Sequence, residues 1–104
     1  MTLPTITLPD NHPRRQMLER KLEEYRGRLD PSKPPAFHMA TICRIAILEA
    51  LLRDNGVDAQ VLSEVLTETY RESFDIKAFN TACNVIIDYC NTGGQNVWGG
   101  TGLE

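Results

Sequence analysis

The stretch Ala36-Phe37-His38-Met39-Ala40-Thr41-Ile42-Cys43-Arg44-Ile45-Ala46-Ile47-Leu48-Glu49-Ala50-Leu51-Leu52-Arg53-Asp54-Asn55 decides how the rest of the chain is read. Between Met39 and Leu52 its only charged side chains are Arg44 and Glu49. Ile42, Cys43, Ile45, Ile47, Leu48, Leu51 and Leu52 wrap most of the circumference of a helix. A helix that is apolar nearly all round must be covered by its neighbours, so this one is the expected centre of the fold. Pro34 and Pro35 precede it, and Gly56 follows it as the expected left-handed residue of its C-terminal turn.

Amphipathic segments lie on either side. A first helix over 13–29 opens on Pro13, which is pre-organised for a first helical turn. Its apolar residues Leu18, Leu22, Tyr25 and Leu29 recur at 4-3-4 spacing and form a narrow seam. Asp30-Pro31-Ser32-Lys33-Pro34-Pro35 must end it, because proline cannot continue a helix. A third helix over 58–73 is capped by Asp58 and places Val61, Leu62, Val65, Leu66 and Tyr70 on one side, with Glu64, Glu68 and Glu72 at four-residue spacing. A fourth over 75–91 has Ile76, Phe79, Cys83, Ile86 and Cys90 as its inner stripe. The expected fold is therefore all-α, a small bundle of about four helices over 13–29, 36–55, 58–73 and 75–91.

The ends have a different composition. All six prolines lie within residues 1–35 and five of the seven glycines within 93–102. Residues 1–12, with the echo Thr2-Leu3-Pro4 and Thr7-Leu8-Pro9, are expected to form an extended arm, since proline and its preceding residue disfavour helix. Residues 93–104 are expected to form a glycine-rich flexible tail whose apolar anchors are Val97 and Trp98. The helical domain spans 13–92. Leu103-Glu104 has the form of a cloning remnant and is given no role.

Length and charge exclude several classes. A chain of 104 residues is about one domain, and one this small gains from a partner or a second copy. The formal charge of −3 gives no overall attraction to nucleic acid or to an anionic membrane. Charge is uneven, however: residues 14–28 hold six bases against three acids, and residues 35–104 hold four bases against nine acids. No charged leader followed by an apolar run opens the chain, and Arg44 and Glu49 interrupt the apolar stretch, so neither a signal peptide nor a membrane span is expected. Three cysteines, Cys43, Cys83 and Cys90, sit in helical patterns and read as buried thiols of a reducing, cytoplasmic setting.

Motifs that suggest chemistry do not hold up. Gly94-Gln95-Asn96-Val97-Trp98-Gly99-Gly100-Thr101 has phosphate-loop spacing but lacks the lysine, the preceding strand and the following helix. The second helix, the Asn55-Gly56 turn and the third helix align to a helix-turn-helix, yet the would-be recognition helix presents Asp58, Glu64 and Glu68 to phosphates. Cys83 and Cys90 lie seven residues apart on one helix face, too far for a disulfide. His12 and His38 lack the neighbouring ligand or carboxylate that a metal or acid-base pair needs. No catalytic residue, cofactor or metal is expected, and the chain is read as not an enzyme.

Two features carry the functional expectation. Arg14, Lys21 and Arg28 flank one side of the first helix's seam and Arg15 and Arg26 the other, a pattern that suits an acidic partner and disfavours a homotypic coiled coil. The Glu64, Glu68, Glu72 ladder offers such a partner within the chain. Trp98 gains contact area only by finding a groove, on its own body or on another chain. The leading expectation is a non-enzymatic interaction or assembly protein, homo-oligomeric or bound to a protein partner, using Trp98, Val97, Leu3, Leu8, Arg14, Lys21 and Arg28. A nucleic-acid regulator acting through residues 14–28 ranks second, and a peptide-modification precursor with residues 95–101 as substrate third.

Overall fold

The apolar stretch is the central helix. In a computed structural model of the protein, which describes residues 5–8 and 14–92, it forms a 3-10 turn at Pro35–His38 and then α2 at Met39–Asp54. The other helices are α1 (Arg15–Arg28), α3 (Ala59–Tyr70, prolonged by a 3-10 turn at Arg71–Ser73) and α4 (Ile76–Thr92). Two short strands, β1 (Thr5–Thr7) and β2 (Gly56–Asp58), complete the described elements. α1 and α4 pack on α2 most extensively, and α3 touches the rest of the bundle only lightly.

Each helix boundary has a local cause. Arg26 and Arg28 in the last turn of α1 suit the negative end of its dipole. Asp30 then closes a turn by accepting from the Ser32 N–H at 2.9 Å and the Ser32 hydroxyl at 2.6 Å. Those two bonds hold the Asp30 carboxyl below its usual range. Asp58 caps α3 as expected, its Oδ1 accepting from the N–H groups of Gln60 and Val61 at 3.0 and 3.3 Å. Asp75 does the same for α4, accepting from the Lys77 N–H at 2.9 Å.

The strand pair is the main departure from an all-helical reading. β1 and β2 run antiparallel with Thr5 opposite Asp58, Ile6 opposite Val57 and Thr7 opposite Gly56. Ile6, Val57 and Leu8 all join the buried core. Leu8, expected to face a partner, is instead fully buried, so this part of the arm belongs to the domain itself. The physical reason is period-two alternation: in Thr5-Ile6-Thr7-Leu8 the apolar residues share one face and the threonines the other. Leu3, the remainder of 1–12 and all of 93–104 lie outside the described residues.

Asn55, and not Gly56, takes the left-handed conformation at the end of α2, with φ 60°. Asparagine tolerates that region, and its side chain is held there by Arg15, whose Nη1 donates to Oδ1 at 2.8 Å. The Asn55 carbonyl accepts from the Leu8 N–H at 2.9 Å. Gly56 serves a different purpose, since a Cβ there would crowd the Ile6 carbonyl oxygen at 3.3 Å as β1 passes. One asparagine thus ends α2, anchors α1 and seats β1.

The core draws Leu18, Leu22 and Tyr25 from α1, Cys43, Ile47, Leu48 and Leu51 from α2, and Phe79, Ala82, Cys83 and Ile86 from α4. Pro35–Asp54 has the length and apolar composition of a membrane span, a property that the core helix of a globular bundle shares. It lies at the centre of the bundle, yet only 39% of its most apolar window is buried.

Because Leu8 is fully enclosed, Leu8→Ala is expected to destabilise the protein by about 2–5 kcal/mol, as cavity-forming core substitutions do. Urea denaturation measures this, and a loss below about 0.5 kcal/mol, typical of surface sites, would mean that the arm is not part of the core.

Candidate functional site

The under-covered side of α2 is walled by α1 and α3. Its half-buried residues Ile42, Ile45, Ala46, Glu49 and Leu52, with exposed Arg53, form the floor of three linked depressions. One, of about 570 Å³, lies against α1 at Glu19, Leu22, Glu23 and Arg26. A second, of about 240 Å³, lies between Leu29, Leu66 and Tyr70. The third, of about 350 Å³, runs along α3 past Val57, Val61, Leu62 and Val65. Glu49 is common to the first two and Arg53 to the first and third, so the depressions follow one another around α2. Arg26 bridges the α1 wall to this floor, donating to Glu49 at 2.6 Å while also donating to Glu23 at 2.8 Å.

α3 does not bury the face expected of it. Leu66 is enclosed with Ala59 and Ser63, but Val61 and Val65 are 55% and 53% exposed. The expected stripe of five apolar residues is too wide for the contact that α3 makes. Ala59 and Ser63 are small enough to let its inner side approach the core, which leaves the Val61–Val65 ridge outward. Leu29 and Ile76, also assigned to inner stripes, are 38% and 47% exposed because each sits at the end of its helix.

The basic residues of α1 do not meet the acidic ladder of α3. Arg14 Nη1 donates to the Cys90 carbonyl at 2.6 Å, and Arg15 donates to the Leu52 carbonyl as well as to Asn55. Lys21 pairs with Glu24 at 3.5 Å. Among the described residues Glu64 accepts only from Gln60, at 3.2 Å, and Glu68 and Glu72 make no ion pair. The expected intramolecular partnership of ladder and basic helix is therefore replaced by contacts from α1 to α2 and α4.

Sequence reasoning missed the cluster around Tyr25. This ring is fully buried, with Lys21 Nζ 6.0 Å, Arg28 Cζ 5.3 Å and Arg44 Cζ 5.6 Å from its centroid. Arg44 is itself only 7% exposed, and its Nη1 lies 3.5 Å from the Tyr25 hydroxyl. Cations over a phenol face are attracted by its quadrupole, by up to about 2 kcal/mol when desolvated. The available signal was Arg44, a charge placed inside an otherwise apolar helix. Two of the residues chosen for partner binding, Lys21 and Arg28, thus contribute to the packing of their own helix, while Val97 and Trp98 lie outside the described residues.

Other chemistry-bearing groups among the described residues make turn and packing contacts. Among the described residues no group of three His, Cys, Asp or Glu side chains is arranged to hold a metal. His38 Nε2 accepts from the Asp30 N–H at 3.1 Å and tethers the loop before α2. The helix-turn-helix alignment fails on geometry, since Gly56–Asp58 is a strand paired to β1. All three cysteines are free. Burial pushes the Cys43 thiol up to about 12, aided by nearby Cys83 and Asp75, and pushes Cys83 up to about 11. Cys90, half-buried, is raised by burial against the opposing charge of Arg14. No known protein family matches the chain, and neither a curated protein nor a solved structure matches it.

The thiols give a pH test. Folding holds the protons of Cys43 and Cys83 more tightly than the unfolded chain does. Stability should therefore fall as pH rises above about 9, with a limiting slope of about 1.4 kcal/mol per pH unit per thiol. At pH 8 a thiol-selective reagent should leave Cys43 and Cys83 unlabelled until denaturant is added. Labelling of either at the rate of a free thiol, read by peptide mass, would contradict their burial.

Proposed function

We propose that this chain is a non-enzymatic interaction or assembly protein whose docking face is the outer side of α3 with the adjoining groove over α2. The observation that carries this reading is the exposed Val61–Val65 ridge, more than half open to solvent on a helix whose other side enters the core. Beside it runs an apolar groove of about 350 Å³ lined by Ala50, Val57 and Leu62. Single exposed apolar residues need no explanation, but an adjacent ridge and groove on a helix that touches the bundle lightly are the form of a partner-binding patch.

Electrostatics supports a protein partner over a nucleic acid. The face carries Asp54, Asp58, Glu64 and Glu68, which repel phosphates, and the side chains of Arg14, Arg15 and Arg26 are engaged with other parts of the chain. An amphipathic helix laid along the groove would bury its apolar side there, a common mode of recognition between proteins.

A photo-crosslinking residue placed at Val65 in the cells that produce the protein tests this. A discrete protein adduct is expected at position 65 and none at the exposed control position Asn84 on α4. Absence of an adduct at 65, or equal labelling at both positions, would contradict the assignment.

A further inference from the structure

We infer that the partner on the α3 face is a second copy of this chain, presenting the outer seam of its α1. The inference rests on the interaction reading above and adds the identity of the occupant. It begins from a mismatch: the chain carries a basic helix and an acidic helix that the fold keeps from pairing. The other bases of residues 14–28 are engaged within the chain, but Arg20 stands exposed on the outer side of α1, and α3 turns Glu64 and Glu68 outward. Among the described residues Glu68 and Glu72 have no basic partner, and Arg20 has no acidic one.

Met17, Arg20, Glu24 and Gly27 follow one another at 3-4-3 spacing and are all exposed, so they line one outward seam of α1. Met17 is 44% exposed, and its unbranched thioether side chain adapts to irregular apolar grooves such as that beside Val61 and Val65. Arg20 would then stand over Glu64 and Glu68. Gly27 adds a steric observation, since a Cβ there would meet nothing within 4 Å in this chain. A glycine inside a helix costs about 0.5–1 kcal/mol relative to alanine, and no contact among the described residues requires it.

Opposite charge on two different surfaces of one molecule makes the contact α1 to α3, not α1 to α1. Such a contact either closes reciprocally into a dimer or extends into larger assemblies.

Sedimentation velocity on the full chain over a concentration series reads the result. Wild type is expected to self-associate reversibly. Arg20→Glu, and separately the pair Glu64→Arg and Glu68→Arg, are each expected to weaken association by about tenfold or more, equivalent to at least about 1.4 kcal/mol. Mixing the two variants should restore it, because each then meets a surface of opposite sign. All three positions are exposed, so folding should be preserved, and Arg20→Gln with Glu68→Gln supplies a milder test should a reversal variant fail to fold. A wild type that stays monomeric throughout, or association indifferent to these substitutions and to mixing, would overturn the second-copy assignment. A monomer whose position 65 crosslinks to a different protein would remove the assignment and leave the interaction reading standing.

Discussion

The structure depends on a single requirement, that the apolar circumference of α2 be covered. Of its fourteen residues from Met39 to Leu52 only Arg44 and Glu49 are charged, and Arg44 is packed against the Tyr25 ring of α1. α1 and α4 cover two sides well, and burial of Ile47, Leu48, Leu51 and Cys43 between them supplies the main apolar contribution to stability. The remaining side is met by α3, which is short and touches the bundle lightly. Ile42, Ile45 and Ala46 are left half-buried at the floor of open depressions.

A second constraint sits at the end of α2. Asn55 turns the chain with a left-handed backbone, accepts from Arg15 on α1 and receives the Leu8 N–H that aligns β1. The adjacent Gly56 lets β1 pass close enough to pair. α3 is thereby launched from a strand, with Asp58 serving both as the last strand residue and as the helix cap. That shared residue leaves no linker between β2 and α3.

Much of this was legible in the residues. Four helices, their proline and aspartate boundaries, and the centrality of α2 follow from periodicity and capping alone. The extended form of residues 5–7 was legible from the flanking prolines, but the β1–β2 pairing was not, because the partner strand lies in what resembled a simple turn. Gly56 was given the left-handed role by general preference, whereas the close approach of Ile6 is a long-range fact that no local pattern carries. The candidate surface was harder still. Val61 and Val65 have the spacing of core residues, and only the small Ala59 and Ser63 behind them explain why they remain outside. Charge pattern set α1 against the Glu64–Glu72 ladder, but the two do not meet in the chain, because the α1 bases bind carbonyls and carboxylates of α1, α2 and α4 instead.

Incomplete cover of α2 is tested most directly by amide hydrogen exchange on the dilute protein. Amides in the middle of α2 and α4 are expected to exchange only through global unfolding, while those of α3 exchange through a local opening that requires clearly less free energy. Protection of α3 equal to that of α2 would contradict the claim that α3 is loosely laid over an under-covered core helix.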